Sequence, residues 1–265
     1  MFHPAEAAVD AVTPTQAARG ARRRLQSLAR PAGEFDASRY FRGDHRLVFL
    51  NVGTPRVRAY ARAIRQEHAS WTVDDAMTFA EALMPARELE VKGIAVEVVA
   101  GYRRGFRPGL LVAWRRWLVQ DYSGNWATTD SICGSLVGPL LVAFPALAPR
   151  MRSWARHPSL WVRRASAVAL IPSIRRGLEL DLAYAVAAEL QADGADLIHK
   201  AVGWMLREAG KADAVRLERY LLKAGPALPR TTLRYAIERF PPAKRRQLLE
   251  ATSSPRRHRR SEPAV

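Results

Sequence analysis

Helical spacing of apolar residues is the feature that most constrains how this chain can fold. Apolar residues recur three and four positions apart in about a dozen short segments, which proline, glycine or small polar residues separate. No convincing run alternates between apolar and polar residues as a half-buried strand would. The sequence therefore predicts an all-α fold. The clearest predicted helices cover residues 55–68, 73–84, 88–102, 110–120, 126–144, 160–174, 180–190, 196–208, 215–222 and 230–240.

The lengths of these helices and of their links favour a helical repeat. A short helix pair cannot bury its own apolar face, so such pairs stack on their neighbours and share one core. Residues 162–171 and 233–240 share an aliphatic-Arg-x-Ala pattern, which is typical of the second helix of a HEAT-like unit. An irregular helical bundle explains the same periodicity, so both architectures stay open at this level.

The charge of the chain favours a polyanionic partner. The 265 residues carry a formal net charge of +17, and arginine supplies nearly all of it because only five of the 42 basic residues are lysine. A GC-rich genome would raise the share of arginine, but it would not explain the excess of bases over acids. With a pI near 11.1, the protein attracts nucleic acid or an anionic membrane surface. Of these two, the charge favours nucleic acid.

Cysteine usage and hydropathy point to a reducing compartment. The single cysteine, Cys133, excludes an intramolecular disulfide and a cysteine-rich zinc site, and we expect it to be a buried apolar residue. The six histidines are scattered, so no metal site and no cofactor is expected. The longest apolar run, 136–144, is too short to span a membrane and contains Pro139. We therefore expect a soluble cytoplasmic protein without membrane contact.

The stretch NWATTD, from Asn125 to Asp130, begins a predicted helix with an unusual pair of side chains. At 100° per residue, Trp126 and Asp130 lie together on one flank of the apolar stripe. Asn125 is suited to cap this helix, and Asp130 can interact with its positive end or with a nearby arginine. That interpretation needs no function, but it leaves Trp126 unexplained. The residues of the predicted stripe are Ile132, Cys133, Leu136, Val137 and Leu140.

A second tryptophan lies off the buried side of the predicted helix 196–208. Trp204 projects about 120° from the centre of that stripe, toward Lys200 and Lys211. An aromatic ring between lysines suits a surface that meets nucleic acid, although a neighbouring helix can also bury such a flank. For Trp114 and Trp117 on another segment, helical spacing predicts that at least one ring packs in the core. The stripe beside Trp204 comprises Ile198, Ala201, Val202, Met205, Leu206 and Ala209.

Several ordered motifs together resemble a known family. NWATTD at 125–130 and KAVGWMLRE at 200–208 are similar to the signature regions of the AlkD family of DNA alkylation repair glycosylases. The resemblance runs from about residue 35 to residue 250. It implies a glycosylase domain of HEAT-like repeats over 35–250, stacked into a curved solenoid with a basic concave face. Matching stretches in the same order are RYF at 39–41, GTP at 53–55, WVRRA at 161–165 and LRYAIE at 233–238.

The resemblance also implies an activity and a partner. Such enzymes hydrolyse the N-glycosidic bond of positively charged N3- and N7-alkylated purines in double-stranded DNA, as monomers and without a cofactor or a base-flipping pocket. Carried over, Asp130 is the catalytic carboxylate, and Trp126 and Trp204 are the aromatic residues that flank it. When bound to DNA, the cytoplasmic protein would associate with the nucleoid.

The implied DNA contacts are Tyr40 and one of Arg163 and Arg164. We favour Arg164, because Val162 and Ala165 define the buried side of that helix and Arg164 is predicted to point away from it. Lys200 and Lys211, on the segment that carries Trp204, complete the expected DNA-binding set.

Some parts of the chain depart from the family or lie outside it. Asn51 stands where members often have glycine, and Ala127 follows Trp126 where an acidic residue is common. We expect residues 1–34 to form a basic N-terminal extension or a first helix, and residues 251–265 to form a disordered basic tail. A HEAT-like DNA-binding module without catalysis, which senses damaged or structured DNA, is the leading alternative. A helical-repeat scaffold for acidic proteins is another.

Overall fold

In the computed structural model, the described residues are 12–33, 41 and 47–253. Their regular structure is helical, with no strand and one isolated bridge between Val48 and Glu88. The all-α prediction is confirmed. The chain divides into two compact units, Met1–Phe144 and Pro145–Val265. The predicted boundaries of the glycosylase domain at residues 35 and 250 stay predictions.

The first unit is organised around helix α4. This helix is apolar on nearly all sides, so it can be buried by several neighbours at once. It packs against α1, α2, α3 and α6, while α1 also packs on α3. The helices of this unit are α1 Pro14–Ser27, α2 Thr54–Glu67, α3 Val73–Leu83, α4 Leu89–Gly101, α5 Leu110–Val119, α6 Trp126–Ile132 and α7 Gly138–Ala143.

Helix α1 forms within the basic N-terminal segment. Thr13 caps it in a capping box with Gln16, and Pro14 occupies the first turn, where its missing N–H costs nothing. Ala18, Ala21 and Leu25 are buried, so this arginine-rich helix contributes one apolar face to the core of the first unit.

The second unit is organised around α12, which packs against α9, α10, α11, α13 and α14. The predicted helix 160–174 is in fact two helices, because Pro172 has no N–H to continue the ladder. Helices α8 and α15 were not predicted. Helix α8 has only six residues and α15 buries Leu248 alone, so neither shows a clear apolar period. The helices of this unit are α8 Arg150–Ala155, α9 Leu160–Val168, α10 Ile171–Ile174, α11 Leu180–Glu189, α12 Asp196–Ala212, α13 Ala214–Ala224, α14 Arg230–Ala236 and α15 Pro242–Ala251.

Two predictions about apolar segments can be compared with the structure. Trp114 and Trp117 are both fully buried, so core packing is confirmed for both rings. Within the ranges that the structure describes, no single helix is long and apolar enough to cross a membrane. The stretches Trp126–Ala143 and Pro145–Ala155 reach that length and apolarity only when counted together.

Candidate active site

Helix α6 begins at a buried network around Asn125. The Asn125 Oδ1 accepts the N–H of Thr128 at 2.8 Å, and its Nδ2 donates to the Ser123 carbonyl at 2.7 Å and to Thr128 Oγ1 at 2.9 Å. The Thr129 hydroxyl donates to the Asn125 carbonyl at 2.8 Å. The predicted cap is confirmed. Because Asn125 and both threonines are buried, this network fixes the turn that carries Trp126.

The helical stretch that starts with α6 contains a wider turn. Residues Cys133–Val137 form a π segment, and the N–H of Gly138 donates to the carbonyl of Cys133, five residues back. Pro139 follows and has no N–H to offer, so the wider turn accommodates it without ending the helix. All five residues of the predicted apolar stripe are buried, and Cys133 is inaccessible as expected.

Trp126 and Asp130 lie one turn apart on α6, and both are half-buried, as predicted for the flank of the stripe. The indole of Trp126 stacks on Phe41, with ring centroids 5.0 Å apart and planes inclined by 12°. The ring of Phe41 also packs against that of Phe49, with centroids 5.3 Å apart. This aromatic column orients the indole, so the carboxylate and the tryptophan ring are held on the same flank of α6.

In the second unit, α12 carries Trp204 outside its buried stripe. All six predicted stripe residues are buried, while Trp204 is half-buried, which confirms that its side chain lies off the stripe. The two lysines are engaged in ion pairs. Lys200 Nζ lies 2.8 Å from Asp196, and Lys211 Nζ lies 2.8 Å from Glu208. Their positive charges are therefore partly compensated within the helix.

The carboxylate of Glu208 on α12 forms ion pairs with two basic side chains. It is buried, and Arg175 Nε lies 3.0 Å from it in addition to Lys211. Burial alone would raise the pKa of the Glu208 carboxyl. The hydrogen bonds and charges of Arg175 and Lys211 more than offset that effect and hold its pKa below the ordinary value.

The structure corrects the orientation predicted for Arg164. Its side chain is buried and donates to the carbonyl of Leu197, because α9 packs on α12 as well as on α8 and so covers the flank that the helical period left open. Arg163 is 22% exposed and forms an ion pair with Asp193 at 2.6 Å. It also donates to the carbonyl of Pro158 at 2.7 Å. A DNA contact by either arginine stays a prediction.

Tyr40 lies outside the described residues, as do the basic tail from residue 254 and the segment before residue 12. Among the predicted site residues, the first unit brings together Trp126 and Asp130. The second unit places Arg163 and Arg164 beside the loop and turn that precede Trp204. Across the described ranges, no group of three histidine, cysteine or acidic side chains is placed to hold a metal ion.

A cavity beside α6 was not predicted from the sequence. It has a volume of about 570 Å³ and is lined by Ala127, Thr128 and Ser131 of α6 together with residues of α2, α4 and the loop before α2. In that loop Asn51 has a φ of 54° and Gly53 a φ of 84°. Asparagine tolerates the left-handed conformation better than most residues, which explains how Asn51 can stand where the resemblance leads one to expect glycine.

The loop before α2 is held in this conformation by Glu90. Its carboxylate accepts the N–H groups of Leu50 at 3.0 Å and of Val52 at 3.3 Å. The amide of Asn51 donates to the carbonyl of Arg30 at 3.0 Å. The sequence contains no signal of the cavity, because the cavity depends on contacts between segments far apart in the chain.

Two comparisons with known proteins, one of sequence and one of fold, found matches. The model of the DNA alkylation repair enzyme family matches residues 21–240. A solved structure described as a predicted DNA alkylation repair enzyme from Enterococcus faecalis is 18% identical and superimposes with a TM-score of 0.67. That match covers 77% of this chain and 92% of the other, and at this identity it shows a shared fold. No curated protein is similar enough to count as a match.

Proposed function

This chain belongs to the DNA alkylation repair enzyme family, and from that premise we propose that it is a DNA glycosylase. Its substrates are positively charged N3- and N7-alkylated purines in duplex DNA. The observation that carries the proposal is the pair formed by Asp130 and Trp126 on a helix whose start is fixed by a buried network. On a surface that only binds DNA, a carboxylate would repel the phosphates and add nothing to binding.

The chemistry explains why one carboxylate suffices. An alkylated purine that already carries a positive charge leaves as a neutral base, so no general acid is needed. As the bond breaks, the deoxyribose gains oxocarbenium character, and Asp130 stabilises that charge and orients or deprotonates the attacking water. The rings of Trp126 and Trp204 add cation-π attraction, worth about 1 to 2 kcal/mol when desolvated. Uncharged lesions, which need a proton, are expected to react poorly.

The remaining residues position the duplex in this proposal. Tyr40 and Arg163 contact the DNA near the lesion, and Lys200 and Lys211 attract its phosphates. Arg164 acts from a buried position, through the turn of α12 that it holds at the Leu197 carbonyl. The enzyme works as a monomer in the cytoplasm, on the nucleoid, without a cofactor, and without extruding the base into a closed pocket.

The test is single-turnover release of 7-methylguanine from a defined duplex at fixed salt. We expect the wild type to release the base faster than it is released spontaneously. Asp130→Asn should lower the rate of base release at least about 100-fold while duplex binding is retained. Asp74→Asn is the matched control, because Asp74 is an exposed carboxylate of the same unit that pairs with Arg107. This variant makes the same change of charge and is expected to release base at the wild-type rate.

The opposite result would also be informative. Wild-type protein that binds the duplex but releases neither 7-methylguanine nor 3-methyladenine faster than buffer would contradict the glycosylase proposal. A steep loss of duplex affinity with added salt would then indicate a DNA-binding module without catalysis. If the protein does not bind duplex DNA at all, the remaining interpretation is a helical-repeat scaffold for acidic proteins.

A further inference from the structure

Helices α12 and α14 pack side by side in the second unit, and side-chain contacts define how they align. Residue numbers rise together along the two helices at these contacts, so the helices run in the same direction. The seam between them therefore extends over about three helical turns. The contacts in chain order join Asp196 with Thr231, the carbonyl of His199 with Thr232, and Arg207 with Glu238.

Gly203 lets α14 approach α12 closely in the middle of this seam. A Cβ on Gly203 would lie 2.4 Å from the Cβ of Tyr235, so the tyrosine packs over a stretch of backbone that carries no side chain. This close approach does not bury the tyrosine, which is 37% exposed. The missing side chain at position 203 thus brings a phenol group to the outer edge of α12.

Lys200 and Trp204 occupy the flank of α12 next to this phenol. At 100° per residue, Lys200 lies about 60° from Gly203 around the helix, and Trp204 lies about 40° beyond Lys200. The lysine is therefore between the tyrosine of α14 and the tryptophan of its own helix. The hydrogen bond to Asp196 is the largest cause that raises the pKa of Lys200, and Tyr235 also contributes, which indicates that its phenol is within electrostatic reach of the ammonium.

An exposed tyrosine hydroxyl beside an ammonium group is suited to bind a phosphate. The hydroxyl can donate a hydrogen bond to a phosphate oxygen, while the lysine supplies positive charge. Protein hydrogen bonds to the phosphates and sugars of DNA fix the register of a duplex. Because Asp196 compensates part of the charge of Lys200, the hydroxyl of Tyr235 adds a donor that does not depend on that charge.

We propose that Tyr235 is a DNA-binding residue whose hydroxyl donates to the same phosphate that Lys200 attracts. The inference rests on the proposed function, because it takes duplex DNA as the partner of this surface. The shared phosphate holds the duplex next to Trp204. Tyr235 contacts the backbone and not the reacting sugar, so it determines the affinity for DNA and leaves the rate of bond cleavage unchanged.

Binding of a labelled, unmodified duplex to the full chain, measured by fluorescence anisotropy at fixed salt, tests this contact. Tyr235→Phe keeps the ring over Gly203 and removes only the hydroxyl, so the affinity should fall about 3- to 10-fold. Tyr220→Phe is the matched control from the same unit, because the Tyr220 hydroxyl is buried and has no hydrogen-bond partner in the described part of the chain. This control should bind the duplex like the wild type. Equal affinities of the two variants would overturn the proposal.

Two further measurements distinguish a phosphate contact from a general loss of structure. The phenol is neutral at pH 7, so Tyr235→Phe should leave the salt dependence of binding unchanged, whereas Lys200→Gln should lower its slope. The double variant should lose less affinity than the product of the two single losses, because both groups hold one phosphate. A combined loss equal to that product would contradict the shared phosphate. Thermal unfolding shows whether each variant is folded.

The outcomes also separate this proposal from the function on which it rests. Single-turnover release of 7-methylguanine at saturating protein should be close to the wild-type rate in Tyr235→Phe. If the wild type releases base and both tyrosine variants bind the duplex equally well, the contact is wrong and the glycosylase stands. If the wild type binds the duplex without releasing base, and Tyr235→Phe binds more weakly, the contact stands and the glycosylase is wrong.

Discussion

Helices α6 and α12 both carry a tryptophan beside a buried apolar stripe, but the two helices are held in place by different interactions. Helix α6 opens the continuous helical stretch Trp126–Ala143, and its start depends on neutral hydrogen bonds around Asn125. Helix α12 has 17 residues and lies at the centre of its unit. The ion pair between its buried Glu208 and Arg175 and its close packing on α14 hold it in place. Local capping therefore secures the first site region, and long-range packing and charge secure the second.

This difference predicts where each region is vulnerable. Trp126 and Asp130 lie in the first turns of a continuous helical stretch, whose first backbone N–H groups have no intrahelical acceptor, so the loss of the cap acts directly on these two residues. A long amphipathic helix tolerates changes at its ends but not at the positions where another helix approaches its backbone. Four predictions test this contrast, and they run from the largest expected effect to the smallest.

Gly203 on α12 lies where α14 approaches its backbone closely. A Cβ there would lie 2.4 Å from Tyr235 Cβ and 2.7 Å from the Thr232 carbonyl oxygen, so α14 would have to move. We expect Gly203→Ala to lower the free energy of unfolding by about 3 kcal/mol, measured by urea denaturation. Gly134→Ala, in the π segment beyond α6, has no atom within 4 Å of its new Cβ and should be neutral or slightly stabilising. Equal losses in the two variants would contradict the contrast.

Removal of the α6 cap should affect both stability and chemistry. We expect Asn125→Ala to cost about 1 to 2 kcal/mol of unfolding free energy and to slow single-turnover base release about 10-fold or more, because Asp130 loses its fixed position. Asp213 caps α13 by accepting the Arg216 N–H at 2.8 Å, and its change to alanine is the matched control. Asp213→Ala should lose similar stability with little change in release. Equal slowing in both would show that general loss of stability, and not positioning, is responsible.

The same contrast explains what could be predicted from the sequence. Apolar stripes, the Asn125 cap and the lateral position of Trp204 follow from helical period and capping chemistry, which act within a few residues. The burial of Arg164 could not be predicted, because it depends on which distant helix covers its flank. The cavity could not be predicted either, since α2, α4 and α6 meet there from separate parts of the chain. The π segment required a backbone adjustment before Pro139 that no periodicity encodes.

The charged anchor of α12 predicts a dependence on pH that the neutral Asn125 cap of α6 lacks. The folded pKa of Glu208 lies below its ordinary value of about 4.3, so the carboxylate contributes stability above that value and loses it as pH falls through the folded pKa. We expect Glu208→Gln to cost about 1 kcal/mol at pH 7, since its cationic partners are half exposed, and progressively less as the pH falls below about 4.3. The cost of Asn125→Ala should stay constant over the same range. A constant cost for Glu208→Gln in urea denaturation would contradict the ionic role.

The smallest effect concerns the pairing of Lys200 with Asp196, whose hydrogen bond raises the pKa of the lysine. If this pairing restrains the lysine from phosphates, Asp196→Asn should steepen the salt dependence of duplex binding, by up to about 0.9 in the slope of log K against log salt. Lys200→Gln should lower the slope by a similar or smaller amount, and the double variant should resemble the wild type because its net charge is unchanged. A slope that does not respond to either single change would place Lys200 away from the duplex and limit the contribution of α12 to Trp204.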